Sequence, residues 1–263
     1  MSPALTGLKA FLPCLLLAGC VALPPGERDP RDPVERFNRS VYQFNDQLDT
    51  HLARPVAVGY VKVTPEPIRT GISNFFENTA YPATIVNSLL QAKFTQFASD
   101  TGRFVVNSTI GLLGLFDPAT KLGLKANDED LGQTLGYWGM PSGPFLMIPI
   151  LGPSSGRDLF GDIADRSFDP KNYVKRDGIR YGLIIQELVD RRAGLLPADA
   201  VQREAFDPYA FMRNAYLQRR EYQVKDGAVA SEEVEIPIEE EAVEETAPAE
   251  SADAAPTPPA AGN

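Results

Sequence analysis

The stretch from Gly132 to Gly156 constrains this chain more than any other. It holds no charged residue, and it carries Trp138, Phe145, Leu146, Met147, Ile148, Ile150 and Leu151. A helix of such a length and composition could cross a bilayer, which takes about 20 residues. Yet Pro141, Pro144, Pro149 and Pro153 interrupt it. Each proline removes an amide donor and clashes with the preceding helical turn. Glycines at 136, 139, 143 and 152 permit bends or close backbone approach. Irregular backbone cannot face hydrocarbon with its polar groups unpaired, so the segment is buried in protein or lies at an interface. Phe104 to Phe116 forms a second apolar run, with Gly111 and Gly114 loosening its end.

The first residues point to a membrane by another route. One cation, Lys9, precedes an apolar run from Ala10 to Leu17, and Leu17-Ala18-Gly19-Cys20 follows. A short charged region, a short apolar region and small residues before a cut site read as a signal peptide. The last four residues resemble the lipobox of bacterial lipoproteins. That resemblance implies cleavage before Cys20 and acylation of Cys20, with residues 1–19 lost and 20–31 left as a Pro-rich linker. Several acyl chains anchor durably where one anchors marginally. Val21, rather than Asp, follows the cysteine. By analogy with known lipoproteins this points to the outer membrane of a Gram-negative host. Cys14 leaves with the signal peptide and Cys20 is consumed by lipid, so the mature body has no thiol for a disulfide or a metal.

Charge separates body from tail. The net charge of −10 arises after residue 225, where eleven acidic and no basic residues occur; residues 20–225 balance. The segment 223–263, rich in Glu, Ala and Pro, cannot bury enough apolar surface to offset ordering entropy and is expected to be disordered. A balanced body with scattered cations argues against nucleic acid as a partner.

Within 32–222 the periodicity is helical. Asp32-Pro33-Val34-Glu35 reads as a helix start with Asp32 as cap. Val34, Phe37, Val41, Phe44 and Leu48 then recur on one stripe. A helix from Thr64-Pro65 carries Ile68, Ile72, Phe75 and Phe76. Further helices are expected over 83–91 and 93–113, then from about Val174 to Ala193, closed by Gly194. The last starts at Asp207-Pro208 and turns Met212, Ala215 and Tyr216 inward. The expectation is an all-α body of six or seven helices without strands.

Catalytic chemistry is sparse. Gly152-Pro153-Ser154-Ser155-Gly156 matches the nucleophile-elbow pattern. An elbow needs a strand before it, a helix after it and a histidine base, and the single histidine, His51, lies upstream. One histidine and no free thiol leave no soft metal site. Asn127 to Asp130 lacks the spacing of a calcium loop and reads as a loop or helix cap. Arg157, Asp158, Asp162, Asp165 and Arg166 read as a salt-bridged surface face. Asn38, Asn45 and Asn74, near apolar stripes, read as satisfied structural amides.

The body resembles the MlaA family, also called VacJ lipoproteins. The resemblance rests on Asp32-Pro-Val-Glu-Arg-Phe-Asn-Arg39, Arg54-Pro-Val-Ala-Val58, Ile72-Ser-Asn-Phe75, Asn107-Ser-Thr-Ile-Gly111, Leu131-Gly-Gln-Thr-Leu-Gly136, Gly143-Pro144 to Gly152-Pro153, and Asp207-Pro-Tyr209, in that order. It implies a ring-like helical protein with an amphipathic central channel, embedded in the inner leaflet of the outer membrane on the periplasmic face. It implies removal of mislocalised phospholipid from the outer leaflet, association with a porin trimer, and delivery to a soluble periplasmic carrier of the Mla system for retrograde transport. This would maintain lipid asymmetry, with no enzymatic step and no cofactor other than the transported phospholipid. The family's mobile glycine-rich hairpin corresponds to Gly136, Gly139 and Gly143. A membrane-anchored acyl hydrolase and a structural envelope lipoprotein are the competing readings.

Overall fold

The computed structural model describes residues 29–228; Cys20, the signal peptide and the acidic tail beyond Ala228 lie outside these. The regular secondary structure of the described residues is helical apart from one hairpin. In chain order they are α1 (Glu35–Leu48), a π-helical turn (Asp49–Ala53), α2 (Arg54–Val63), α3 (Glu66–Leu90), α4 (Phe94–Thr109), α5 (Pro118–Lys121) and α6 (Leu131–Tyr137). Then come β1 (Phe145–Ile148), β2 (Gly152–Ser155), α7 (Gly156–Asp165), α8 (Asp177–Leu195), α9 (Asp199–Glu204) and α10 (Pro208–Val224). The expectation of a strandless body is corrected by the β1–β2 hairpin, which is antiparallel with Phe145 opposite Ser155 and Ile148 opposite Gly152. Its four-residue strands are too short for periodicity to reveal.

The hairpin is built against α1 by two asparagines. Asn38 donates to the Phe145 carbonyl at 2.9 Å and accepts from the Met147 amide at 2.9 Å. Two helical turns on, Asn45 donates to the Ile148 carbonyl at 3.0 Å and accepts from the Ile150 amide at 2.8 Å. Each amide matches the one-donor, one-acceptor pattern of a strand edge, so α1 stands where a third strand would. Phe145 and Met147 point inward onto Val41 and Tyr209, with Phe37, Met212 and Tyr216 packed around them. The α1 stripe is therefore only partly buried: Val34 and Phe44 are exposed.

Asp32 does not cap α1; Val34 occupies that position without a side-chain bond. Asp32 is instead fully buried. It accepts from Asn38 Nδ2 at 2.7 Å and from the Tyr209 hydroxyl, and it pairs with Arg213 at 3.2 Å. The helices expected over 64–76 and 83–91 are one helix, α3, running through Pro82. A proline inside a helix costs about 3 kcal/mol, which packing of α3 along α4 offsets. Gly194 lies within α8 rather than closing it. Asp207 caps α10 as expected, accepting from the Tyr209 and Ala210 amides at 3.1 Å. Ala215, expected inward, is exposed.

Arg220 ties α10 to α6 and α7. It bonds Asp130, the cap of α6, at 2.6 and 2.9 Å, and Asp158, in the first turn of α7, at 2.8 and 3.0 Å. Arg157 and Asp158 are thus buried, not part of a surface face. The crossing of α6 and α7 is close enough that a Cβ on Gly161 would sit 2.4 Å from the Gly132 amide nitrogen.

Candidate functional site

The interior and exterior of this fold are partitioned in an unusual sense. Among the described residues eight apolar side chains are buried, against twenty polar or charged ones such as Asn87, Ser88, Asp100, Arg103 and Gln133. Large apolar side chains lie outside: Val63, Phe94, Leu122, Phe160, Tyr181, Ile185 and Leu195 are all exposed. Soluble monomers rarely show large contiguous apolar surface, so exposure on this scale marks a site of contact with membrane or protein. No described helix is long and apolar enough to cross a membrane.

The loop after α4 concentrates this property. Ile110, Leu112, Leu113, Leu115 and Phe116 are exposed together. Polar groups beneath hold the loop in place. Asn78 donates to Ser108 Oγ at 2.9 Å and to the Leu113 carbonyl at 3.3 Å. Gly114, at φ +93°, lets the loop fold over Asn78, where a Cβ would lie 2.4 Å from the Asn78 Cβ. Arg103, buried below, binds Asp117 at 2.6 Å and the Leu124 carbonyl at 2.9 Å.

A cavity of about 570 Å³ opens between α3, α7, α8 and the loops around 128–130 and 166–172. Part of its wall is apolar: Ala80 and Ala83 from α3, Ile184 and Leu188 from α8, and Leu151 from the hairpin turn. Apart from Thr84 and Asn172 the rest is charged, and most charges are internally matched. Glu129 accepts from Lys93 and Gln91 at 2.8 Å. Asp165 accepts from the Leu131 amide at 2.7 Å and Asn87 at 3.0 Å. Lys171 pairs with Glu187 and, at 3.0 Å, with Asp169; Arg191 pairs with Glu187 at 2.7 Å. Burial pushes the Asp165 carboxyl up from its ordinary range. Asp162 rises to about 6, through burial first and then the charges of Asp130, Asp158 and Asp165, against the opposing pull of Arg220.

The residues singled out in the sequence fall as follows. Gly136 lies inside α6, where a Cβ would meet Arg157 Nη1 at 2.7 Å. Gly139 and Gly143 have φ of +90° and +70°. The cavity wall includes none of the three, whereas Leu151 belongs to it. Ser154 does have a strand before it and a helix after it, contrary to the expectation that the strand was missing. Its hydroxyl donates to the Ser155 carbonyl at 3.4 Å, and Ser155 caps α7. His51 is exposed on the π-helical turn, 2.8 Å from the Gln47 carbonyl. Asp130 is the helix cap that the acidic loop suggested. Among the described residues no group of three or more His, Cys, Asp or Glu could hold a metal ion. Sequence reading missed the cavity-lining roles of Asp162, Arg166 and Leu151. The charge alternation in α7 was visible, but its mixture of buried and cavity-facing positions depends on α6 and α10.

Exposed large apolar side chains, many buried polar groups and a charged cavity define a class of helical protein whose surface is suited to contact with membrane or protein. Its family is that of the MlaA lipoproteins: the family model matches residues 30–223, and the chain belongs to it. The intermembrane phospholipid transport system lipoprotein MlaA of Escherichia coli K12 is 34% identical over 222 residues, covering 83% of this chain and 88% of that protein. An uncharacterised protein of Rickettsia typhi is 36% identical over 196 residues, covering 74% and 78%. A solved structure described as the structural basis for maintenance of bacterial outer membrane lipid asymmetry superposes with a TM-score of 0.67. It is 35% identical, and the match spans 75% of this chain and all of that one.

Proposed function

We infer that this chain is the membrane lipoprotein of an intermembrane phospholipid transport system. In this reading it takes phospholipids misplaced in the outer leaflet of the outer membrane and passes them to a soluble periplasmic carrier. Cys20 carries the lipid anchor, and the body lies in the inner leaflet at the periplasmic face, beside a porin trimer. The observation that carries the reading is the combination of many large apolar side chains exposed on the surface with a cavity whose wall is mostly charged beside a smaller apolar flank. A phospholipid crossing a bilayer must keep its charged head out of hydrocarbon, which otherwise costs several kcal/mol. A polar wall offsets that cost while the acyl chains stay against apolar surface. The cavity lies within the range of about 300–1,000 Å³ typical of small-ligand sites. No step in this transfer breaks a covalent bond, so the body acts as a passage rather than an enzyme, and partners set the direction. In this reading Gly136, Gly139 and Gly143 belong to the mobile glycine-rich segment at the channel, with Gly139 and Gly143, both at positive φ, permitting its bending.

Deleting the gene should raise outer-leaflet phospholipid and sensitise cells to detergent with EDTA. Unchanged surface phospholipid would refute the reading. The strand–Ser154–helix context favours one competitor, a lipid acyl hydrolase. Purified protein incubated with phospholipid should release no fatty acid that depends on Ser154. Release abolished by Ser154→Ala would establish the hydrolase instead.

A further inference from the structure

The charges lining the large cavity are almost all engaged, and the exceptions are a matched pair. Among the described residues, Asp162 makes no side-chain hydrogen bond or ion pair, and it lies exposed on the cavity wall, open to a ligand. Arg166, one helical turn later, also has no ion-pair partner. An acid four residues before a base on a helix ordinarily closes a salt bridge. Here α7 ends at Asp165 and gives way to a 3-10 turn over Arg166–Phe168, and the two side chains are not within ion-pair distance. The cavity therefore presents one free anion and one free cation on the same stretch of wall. The other charges of the wall are largely offset by Lys93, Arg219, Arg220, Lys171 and Arg191, so the unpaired Asp162 and Arg166 are the charges left for a ligand to meet.

We propose that Asp162 and Arg166 form a headgroup subsite for zwitterionic phospholipid, with Arg166 receiving the phosphate and Asp162 the ammonium of a phosphoethanolamine head. This rests on the lipid-passage reading and adds to it a preference among headgroups. The apolar flank of Ile184, Leu188 and Leu151 provides the adjoining surface for the glycerol and upper acyl chains. An anionic head such as phosphoglycerol offers Arg166 the same phosphate but leaves Asp162 facing a hydroxyl. The raised carboxyl of Asp162 is consistent with a group that lacks a cation until a ligand brings one.

The test uses the full-length lipoprotein, purified in mild detergent and equilibrated with vesicles of equal phosphatidylethanolamine and phosphatidylglycerol. Bound lipid is extracted and quantified by mass spectrometry. Wild type should hold phosphatidylethanolamine about two- to fivefold over its vesicle share, the range of a partly solvated ion pair. Asp162→Asn should bring the ratio to that of the vesicles, Asp162→Glu should keep the preference, and Arg166→Gln should lower bound lipid of both classes. A wild-type ratio equal to the vesicles, or an unchanged ratio in Asp162→Asn, overturns the subsite and leaves the passage intact. Absence of bound lipid of either class overturns the passage reading and the subsite with it.

Discussion

Replacing Arg220 with Met removes the only cation, among the described residues, bonded to both Asp130 and Asp158 while preserving most of the side-chain volume. Arg220 is largely buried, and the Asp158 side chain is 5% exposed. Breaking a buried pair from one side leaves uncompensated charge and costs about 3–5 kcal/mol. For a body of this size that lowers the melting temperature by roughly 6–20 °C. The pH dependence gives a second, independent signature. Burial pushes the Asp158 carboxyl up, but bonds and charge from Arg220, with Tyr216 and Arg157, outweigh it and hold it at about 2. A depressed carboxyl stabilises the fold above its unfolded pKa, on the order of 2 kcal/mol here, and that contribution is lost as pH falls from about 4 through about 2. Without Arg220 the burial remains and the main opposing cation is gone, so the carboxyls of Asp130 and Asp158 rise. Their penalty is greatest at neutral pH and is relieved on protonation. The stability gap between wild type and Arg220→Met should narrow from pH 7 to pH 4. Thermal unfolding followed by circular dichroism in one detergent across that range reads both effects. A loss below about 1 kcal/mol, the level of an exposed pair, or a gap that widens toward pH 4, would refute the reasoning.

Three further outcomes follow from the packing and the anchor. Asn45→Ala should speed hydrogen exchange of the Ile150 amide by about tenfold, the worth of one hydrogen bond, and leave the Asn38-bound Met147 amide protected; equal exchange at both would contradict the two-asparagine account. Gly161→Ala should destabilise by about 1–3 kcal/mol through overpacking against Gly132, while Gly182→Ala in α8, with open space around it, should gain about 0.5–1 kcal/mol; denaturant melts of the two variants compare them directly. Cys20→Ala protein should still fractionate with membrane after a salt wash, and a fully soluble form would show that the acyl chains alone hold the body there.

The long helices were legible because their apolar residues and caps obey local rules. Asp207-Pro208 caps α10 through its own neighbours, so no distant contact is needed to read it. Asp32 shows the opposite case. It has the local form of a cap, but Tyr209 and Arg213 draw it into the interior from far along the chain. Pro82 reads as a break between helices because the packing along α4 that overrides it is nonlocal. The uncharged run from Gly132 to Gly156 left burial and interface open, and the structure contains both. Phe145 and Met147 are core, whereas Trp138, Met140 and Ile150 are exposed. Membership of the family was legible from ordered motifs, while the cavity wall was not, because its residues come from elements far apart in sequence.

The asparagine pair on α1 has a consequence for assembly. A two-stranded hairpin normally leaves backbone edges open to pairing with another chain, a route to unwanted association. Here the free side of β1 is already occupied by Asn38 and Asn45, and the Phe145 amide by the Arg31 carbonyl at 2.8 Å. Side-chain amides from a helix thus close a sheet edge without adding a strand. Association with neighbouring proteins must therefore proceed through side-chain surfaces rather than by strand addition at β1.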